Sequence, residues 1–330
     1  MRASDNDLAG PSPGIGRDAA AALRLVMFVE EGGGDWHARQ LVAALAARGA
    51  TVVVTTLKDC AFDTRTSSGL DIPGFAGALP DGAFVRSVST GTLEQITLRL
   101  GILHALEASG VTVWNNARAI ERCVDKSTAT FLFQRAGLPV PTTRAAEDLA
   151  SARRFLGDMA APIVVKPLFG SQGNGVRRAG SEAELPGPDE VGNVYYTQRY
   201  LRGADDTEFQ DWRVLVSDGR VLSAMVRVGQ TWITNIHQGA GAIAVSLADA
   251  DYPHLVALAL KATEAVGARY AGVDLIRDQS GELMVLEINS NPAWKGLQSV
   301  TEMRIAEALA ADFLAAVQRA SARRALTSAP

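Results

Sequence analysis

Two stretches separated by a short polar break, Gly-Val-Asp-Leu-Ile at 272–276 and Leu-Glu-Ile-Asn-Ser-Asn-Pro at 286–292, place the strongest constraint on the fold of this chain. The sequence Gln-Ser-Gly at 279–281 lies between them and is typical of a turn. The two segments are therefore predicted to pair as an antiparallel hairpin. Side chains alternate along a strand, so Leu283 and Val285 should share a face with the polar residues that follow them.

Three oxygen-bearing side chains are predicted to meet at the end of this hairpin. Alternation places Glu287 and Asn289 on one face, and Asp274 of the first strand lies roughly opposite them. Leu286 and Ile288 are predicted on the other face. Two carboxylates and an amide oxygen suit Mg²⁺, which prefers oxygen ligands and keeps places for water or phosphate. An acidic strand end that only caps a turn is the alternative.

Composition excludes several classes of protein. The 330 residues, 47% of them hydrophobic, are enough for two or three globular domains. A net charge of −4 and scattered basic residues give no electrostatic case for nucleic acid. Cys60 and Cys123 lack CxxC spacing, which argues against disulfides, structural zinc and secretion. The N-terminal apolar run 25–29 is too short for a signal core or membrane span, so a soluble cytoplasmic protein is expected.

The order of elements predicts an α/β domain followed by two α+β lobes. A strand at 23–29, a helix at 35–48 and a strand at 51–56 form a βαβ unit, which predicts a parallel sheet. The predicted divisions are a disordered leader at 1–22, an N-terminal parallel α/β domain at 23–122, a central lobe at 123–190, a C-terminal lobe at 191–320 and a frayed tail at 321–330.

A glycine-rich stretch, Phe-Gly-Ser-Gln-Gly-Asn-Gly-Val at 169–176, follows a predicted strand that ends in Lys166-Pro167. Its three glycines allow backbone N–H groups to surround an anion, as in phosphate-binding loops. It is neither a Walker motif nor a dinucleotide fingerprint, because another strand follows it. Lys166 can reach nucleotide phosphates from the strand end, and Lys126 at a helix start is a second candidate. A glycine hairpin without a ligand and a surface lysine are the alternatives.

Together these motifs resemble the ATP-grasp superfamily and, within it, the RimK-like amino-acid ligases. The resemblance covers residues 84–315 in the family's order and spacing. It rests on Asn115, Asp125-Lys126, Ala-Gly-Leu-Pro-Val-Pro-Thr at 136–142, Val-Val-Lys-Pro at 164–167, the glycine-rich stretch, Asp-Trp-Arg-Val at 211–214, Gly-Val-Asp at 272–274 and Glu-Ile-Asn at 287–289. It implies an ATP-grasp fold, in which a parallel-sheet N-terminal domain precedes two α+β lobes that enclose ATP.

The resemblance also implies a cofactor site. By position it assigns Lys126 and Lys166 to the nucleotide phosphates, and it assigns a flap over these phosphates to Ser171, Gln172, Gly173 and Gly175. The hinge beside adenine is assigned to Gln198, Arg199 and Tyr200. The Mg²⁺ ligands are assigned to Asp274, Glu287 and Asn289. Mn²⁺ is an expected substitute for Mg²⁺. Relatives commonly have Gln-Glu-aromatic at the hinge, so Arg199 departs from the pattern, although backbone contacts to adenine can survive that change.

The implied chemistry is amide formation. Ligases of this kind phosphorylate a carboxylate with ATP, and an amine then displaces phosphate from the acyl phosphate. Catalysis depends on positioning and on neutralising charge around the transferred phosphoryl group. Arg213 and Arg227 are the expected catalytic cations beside the two lysines. No general base for the amine is visible in the sequence.

The segment 232–240 matches the family's substrate-facing loop. Relatives that modify ribosomal proteins carry extra arginines where this chain has Val228 and Ile233, and the loop more closely resembles members that add glutamate to small cofactors. Arg213 and Arg227 suit an acidic amino acid or a polyglutamyl tail, with a solvated salt bridge as the alternative for each. The expected substrate ligands are Arg227, Asn235, Asn291 and Lys295.

The predicted function is ATP- and Mg²⁺-dependent ligation of an amino acid, in the first place L-glutamate, to a small-molecule acceptor such as a pterin-type cofactor. One alternative is a protein C-terminus or an amino-carrier protein as the acceptor. Another is a nucleotide-binding protein without turnover, against which the complete set of phosphate lysines and metal ligands argues. No nucleic-acid or membrane partner is expected, and the frequent dimers and tetramers among relatives leave a homo-oligomer open.

Overall fold

The computed structural model describes residues 22–170, 173–201, 209–234, 236, 239–246 and 248–327. Most of the predicted leader therefore lies outside the described residues. Three main sheets are present, one parallel and two antiparallel, as the sequence predicts for an α/β domain followed by two α+β lobes. Within the described ranges, no helix is long and apolar enough to span a membrane.

The N-terminal domain is a four-stranded parallel sheet with strand order β2-β1-β5-β6. Its elements are β1 (Arg24–Phe28), α1 (Trp36–Ala46), β2 (Thr51–Thr55), the small hairpin β3 (Ala61–Phe62) and β4 (Leu70–Asp71), β5 (Gly82–Val85), α2 (Leu93–Ala108) and β6 (Thr112–Trp114). Asp35 caps α1, and Thr92 with Gln95 forms a capping box at the start of α2, so the sequence itself fixes both helix starts.

The central lobe is an antiparallel sheet with strand order β7-β10-β8-β9. The chain reaches it through two helices, α3 (Ala117–Val124) and α4 (Lys126–Arg135). The elements of the lobe itself are β7 (Thr143–Ala146), α5 (Leu149–Met159), β8 (Ile163–Lys166), β9 (Arg177–Ala179) and β10 (Tyr195–Arg199). The predicted boundary at 190/191 is wrong for β10, because β10 pairs with β7 and β8. The start at 123 also needs correction, because α4 packs in the core of the C-terminal lobe.

The C-terminal lobe is built on an antiparallel sheet with strand order β13-β12-β11-β14-β15. Its elements are β11 (Phe209–Ser217), β12 (Arg220–Gly229), β13 (Gly241–Ala244), α6 (Tyr252–Val266), β14 (Tyr270–Arg277), β15 (Leu283–Asn289), α7 (Lys295–Gln298) and α8 (Ile305–Thr327). The sequence predicts that this lobe ends at 320 and that a frayed tail begins at 321, but α8 is helical to Thr327.

One hydrophobic core joins the N-terminal domain to the C-terminal lobe. Side chains of β1, α1, β5 and β6 share it with α8 and with Tyr270 and Trp294. The fully buried Asn115, directly after β6, strengthens this junction: its Nδ2 donates to the carbonyls of Tyr270 and Ser290, both at 2.7 Å. The start of β14 and the end of β15 are thereby fixed to the N-terminal domain, so the hairpin that carries the predicted metal ligands is held at its base.

Candidate functional site

A cavity of about 410 Å³ lies between the central sheet and the C-terminal sheet. Volumes of this order are usual for small-molecule sites. Its walls bring together predicted residues from distant parts of the sequence, namely Lys166, Gly173, Gln198, Arg199, Tyr200, Arg213, Arg227, Asp274, Glu287 and Asn289. Ser171, Gln172 and Asn235 lie outside the described residues.

The hairpin β14–β15 places the predicted metal ligands as adjacent cross-strand pairs. Asp274 is opposite Glu287, and Gly272 is opposite Asn289. The predicted grouping of Leu283 and Val285 with Glu287 is wrong, because the register shifts by one residue between Asp274 and Leu275.

This shift is a β-bulge in which Leu286 is the extra residue, and a bulge reverses the alternation of side chains along the strand. Leu283, Val285 and Ile288 all face the hydrophobic core, whereas Leu286, Glu287 and Asn289 line the cavity. The separation of core and site faces on β15 therefore depends on one inserted residue.

Lys166 ends β8 with its ammonium group buried in the cavity wall. Its Nζ donates to Gln198 Oε1 at 2.8 Å and lies 5.9 Å from the ring of Tyr196. Burial lowers the pKa of Lys166 to about 8, although the nearby Glu287 carboxylate opposes that shift. Among the described residues its one hydrogen-bond partner is this neutral amide, so the buried ammonium group is poised to accept an anionic ligand.

Lys126 is the first residue of α4, whose start is capped by Asp125 through Ser127 and Thr128. Its Nζ donates to the carbonyl oxygens of Leu168 and Gly170, at 3.3 and 3.0 Å, at the base of the glycine-rich stretch. Burial lowers the pKa of Lys126, and the Glu287 carboxylate opposes the shift. The structure thus places both predicted phosphate lysines near Glu287.

Two arginines and two aspartates form an alternating network across β12, β11 and β14. Arg227 is the cross-strand partner of Asp211, and Arg213 is the cross-strand partner of Asp274. Arg213 Nη2 donates to Asp274 Oδ2 at 2.8 Å, and Arg213 Nε also bonds Oδ1. Gly272 permits this approach, since a Cβ there would lie 3.2 Å from Arg213 and 2.8 Å from Pro292.

Arg227 lies between the two carboxylates of this network. Its Nε donates to Asp211 Oδ1 at 2.7 Å, its Nη2 bonds Asp211 Oδ2, and Nη2 is 3.1 Å from Asp274 Oδ2. Burial acts to raise the pKa of Asp274, but Arg213 and Arg227 outweigh it and hold that pKa below its usual range. Burial raises the pKa of Asp211, and the bonds from Arg227 oppose that shift.

The residues present fit Mg²⁺ and a nucleotide triphosphate. A carboxylate has about four acceptor positions, and Asp274 uses three of them for Arg213 and Arg227, which leaves one for a cation. Glu287 and Asn289 would add two further oxygen ligands. Within the described part of the chain, no three His, Cys, Asp or Glu side chains come together as a metal cluster.

The charge balance of the site also suits a triphosphate, because six cations exceed four carboxylates by two positive charges. The cations are Lys166, Arg199, Arg213, Arg227 and Arg277 of the cavity lining and Lys126 beside it, and the carboxylates are Asp211, Asp274, Asp278 and Glu287.

The hinge strand supplies an aromatic contact between the two lobes. Tyr200 meets Trp232 edge to face, with ring centroids 5.9 Å apart, and Arg178 lies over Tyr200 at 5.2 Å. The exposed Arg199 lies at the cavity rim and contributes to the low pKa of Asp278, which its own bond from Ser280 mainly sets. Where relatives commonly have glutamate at the hinge, this chain thus has a positive charge, Arg199, that faces the turn of the β14–β15 hairpin.

Two predicted substrate ligands lie elsewhere. Asn291 and Lys295 are not among the described residues that line the cavity. Reorienting the amide of Asn291 satisfies bonds to the carbonyls of Ser290 and Val85, and Lys295 Nζ lies over the ring of Trp36 at 5.9 Å. Both side chains therefore face the N-terminal domain.

Sequence reasoning missed the roles of two cavity residues. Asp211 appears in the Asp-Trp-Arg-Val motif without a role of its own, yet it is the main partner of Arg227. The signal was available, because residues 211 and 213 are two apart on one strand and so share a face. Leu286 was missed for another reason: a bulge decides which way it points. Trp232, the first residue of the predicted substrate-facing loop, does line the cavity.

The RimK-like ATP-grasp domain family matches residues 123–313. The chain belongs to this family. RimK-like ATP-grasp proteins are ligases, and the chain is an enzyme of that class. The match begins at α3 and ends within α8, so it includes each described side chain of the site.

Two curated relatives and one solved structure extend the comparison. The tetrahydromethanopterin:alpha-L-glutamate ligase of Methanococcus maripaludis is 33% identical over 233 residues, covering 69% of this chain and 76% of that protein. The coenzyme gamma-F420-2:alpha-L-glutamate ligase of the same organism is 30% identical over 225 residues, covering 66% and 77%. The ATP-grasp ligase PsnB, solved with its minimal precursor, Mg and ADP, has a TM-score of 0.66 at 22% identity, covering 89% of this chain and 98% of PsnB. The last likeness establishes the ATP-grasp fold.

Proposed function

We propose that this RimK-like ligase joins L-glutamate to a small-molecule acceptor such as a pterin-type cofactor, with ATP and Mg²⁺, through an acyl phosphate. One observation carries the proposal: a single cavity holds a buried lysine, the Asp274–Glu287–Asn289 oxygen set and the partly paired Arg227. The names of the two glutamate-ligating relatives support the amino acid and the class of acceptor.

In the proposed reaction, the protein's main contribution is to place charges. Lys126 and Lys166 would hold the nucleotide phosphates, and Arg213 would offset the negative charge that develops on the transferred phosphoryl group. Asp274, Glu287 and Asn289 would hold Mg²⁺, which, when bound, neutralises phosphate charge. Arg227 would bind the carboxylate of the amino acid. No side chain is assigned as the general base.

The choice of a small acceptor follows from what the substrate loop lacks. Ile233 lines the cavity where protein-modifying relatives carry one arginine, and Val228 of β12 stands where they carry another, so the described residues supply neither cation at these two positions. An acidic protein tail would gain little from that surface. A cytoplasmic location, a homo-oligomer and Mn²⁺ as substitute metal are further predictions.

The direct test is detection of product by mass spectrometry. The enzyme would be incubated with ATP, Mg²⁺, L-glutamate and separate acceptors: reduced pterin, deazaflavin and furan cofactors, glutamyl peptides, and a protein with an acidic C-terminus. We expect a gain of one or more glutamyl units on a pterin-type acceptor, with ADP formed. Product only on the protein would contradict the small-molecule acceptor, and product only with another amino acid would contradict glutamate.

The metal site has its own test in Glu287→Gln. The amide keeps the shape of the side chain but removes a charge from the predicted Mg²⁺ site, so turnover should fall by about 10³-fold or more while the fold survives. Initial rates and the midpoint of thermal unfolding would be compared with those of wild type. Glu282→Gln, on the exposed end of the same hairpin, is the matched control and should leave turnover unchanged. Near-normal turnover of Glu287→Gln would remove the metal assignment.

A further inference from the structure

Arg227, the proposed ligand of the amino acid, is already held in a buried ion pair. It is 6% exposed and its partner Asp211 is 3% exposed, so both charges are removed from water and each depends on the other. An arginine has five N–H donors. Nε and Nη2 face Asp211 and Asp274, and within the described residues Nη1 has no protein partner. The Nη1 edge is thus the one left for a ligand in the cavity.

The two carboxylates beside Arg227 do not have equal roles. Asp274 also binds both nitrogens of the Arg213 fork and is a proposed metal ligand, so its oxygens are shared. Asp211 gives both of its oxygens to Arg227 in a planar, bidentate pair. The two residues are cross-strand neighbours on β11 and β12, which fixes their separation. Asp211 therefore sets the plane of the guanidinium, and Asp274 contacts only its edge.

We infer that Asp211 is a positioning residue that orients Arg227, so that the Nη1 edge meets the carboxylate of the amino-acid substrate. The inference rests on the proposed function and adds to it how the amino acid is gripped. Without the charge of Asp211, the guanidinium would turn toward Asp274, which would move Nη1 and crowd the proposed metal ligand. Asp211 acts on the substrate only through Arg227.

Steady-state kinetics of Asp211→Asn test this role. Asparagine keeps the size of the side chain but replaces one acceptor oxygen with an amide that opposes Nη2. We expect the KM for the amino acid to rise about tenfold or more, while the KM for ATP changes less than about twofold. An equal rise in both constants would overturn the inference, because it would place Asp211 on the nucleotide.

An Arg227→Lys background separates positioning from direct contact. Lysine keeps one positive charge but cannot form the planar bidentate pair. If Asp211 acts through the arginine fork, adding Asp211→Asn to Arg227→Lys should raise the amino-acid KM by less than about twofold. A full additional tenfold rise would show that Asp211 acts independently of Arg227 and would overturn the inference.

Asp312→Asn is the matched control. Asp312 of α8 pairs with Arg220 and accepts from Ser217 at the opposite end of the same two strands, far from the cavity lining. It is therefore an aspartate–arginine pair on the same sheet and away from the site, although it is more exposed than the pair of Asp211 and Arg227. Both Michaelis constants should be unchanged. An amino-acid KM that rises as in Asp211→Asn would mean that the effect reflects weakening of the sheet, which would overturn the inference.

A second measurement needs no substrate and so separates this inference from the proposed function. Arg227→Met removes the cation and leaves the buried Asp211 unpaired, which should lower the midpoint of urea unfolding. Adding Asp211→Asn should recover part of that loss, and a further loss would show that Asp211 is held by other groups. If wild type ligates no glutamate but this recovery is seen, the proposed substrate fails while the pairing of Asp211 with Arg227 stands.

Discussion

At the scale of single residues, Lys166 shows how burial can make a cation ready for its ligand. Lys166 is 7% exposed, and its only described hydrogen bond goes to the neutral amide oxygen of Gln198. Burial disfavours the ammonium form, so the pKa of Lys166 falls to about 8 from the usual 10.5. A triphosphate beside it would favour the ammonium form and reverse that shift. Nucleotide binding should therefore be linked to proton uptake.

This linkage predicts a pH dependence for ATP. As pH rises through about 8, Lys166 in the free enzyme loses its proton, so the KM for ATP should be flat below pH 7.5 and should rise by several-fold by pH 9. Lys166→Arg keeps its charge throughout this range and should flatten most of the rise. Initial rates at saturating amino acid, from pH 6.5 to 9, give the profile. The same rise in Lys166→Arg would show that another group is titrating.

The free energy of unfolding and the affinity for ATP should depend on pH in opposite directions. Between about pH 8 and 10.5 the unfolded chain holds the Lys166 proton that the folded chain has lost. The contribution of this group to the free energy of unfolding therefore rises with pH across that window. Burial of Lys166 therefore weakens the fold below pH 8.

At the scale of elements, the hairpin β14–β15 has features that the sequence predicts and one feature that it does not. The turn at 279–281 and the opposition of Asp274 and Glu287 follow from turn chemistry and alternation, and the structure has both. The bulge at Leu286 was not predictable, because Val285 and Glu287 are two apart and a regular strand would put them on one face. The extra residue is needed because side chains of β15 must pack in the hydrophobic core on one face and line the cavity on the other.

The positions of Asn291 and Lys295 illustrate a second limit. Both follow the metal ligands in sequence, which suggested that they share the site. The chain turns after β15, and Nε2 of the buried His37 accepts from the backbone N–H groups of Trp294 and Lys295 at 3.2 Å each. That contact is between residues some 257 positions apart. No local pattern reports such a pairing, and it directs the segment toward the N-terminal domain.

Asn115 fastens the hairpin β14–β15 to the N-terminal domain through its side-chain hydrogen bonds, and losing them should destabilise the protein. Its Nδ2 donates to two carbonyls, and its Oδ1 accepts from the N–H groups of Arg269 and Tyr270 at 2.6 and 3.2 Å. Asn115→Asp would point a buried carboxylate oxygen at both carbonyls, so the free energy of unfolding should fall by roughly 3 kcal/mol or more. Urea unfolding measures the loss.

Asn116→Ser is the control for Asn115→Asp. Asn116 is the neighbouring residue and caps α3 through its side chain, a role that serine also fills. Its free energy of unfolding should change by less than about 0.5 kcal/mol. If Asn115→Asp cost no more than Asn116→Ser, the buried hydrogen bonds of Asn115 would not be what holds the hairpin to the N-terminal domain.

At the scale of the whole molecule, the residues that match the family do not form a complete folding unit by themselves. The match begins at residue 123, yet the core that contains Leu309, Phe313 and Val317 of α8 is completed by the N-terminal sheet. The contact is tight: a Cβ on Gly82 of β5 would lie 2.6 Å from Val317 and 3.0 Å from Phe313. The central lobe, by contrast, has a hydrophobic core of its own around Phe155 and Tyr195. The N-terminal domain and the C-terminal lobe therefore form one structural body.

We accordingly predict that residues 123–327, expressed alone, do not form a folded monomer. The fragment would expose the apolar face of α8 that β1, β5 and β6 cover, and an exposed patch of that kind promotes association. Size-exclusion chromatography should show aggregation, and urea should produce no cooperative transition, whereas the full chain gives one under the same conditions.

Gly82→Val in the full chain tests the same contact without truncation. The added side chain meets Val317 and Phe313 in a core with no space for it, so the midpoint of urea unfolding should fall. Gly157→Ala, at an open helical position on α5 in the central lobe, is the control and should not lower the midpoint. A soluble, cooperatively folded 123–327 fragment together with a well-tolerated Gly82→Val would contradict the shared core. The N-terminal domain would then be a separate module whose contact with α8 adds little to stability.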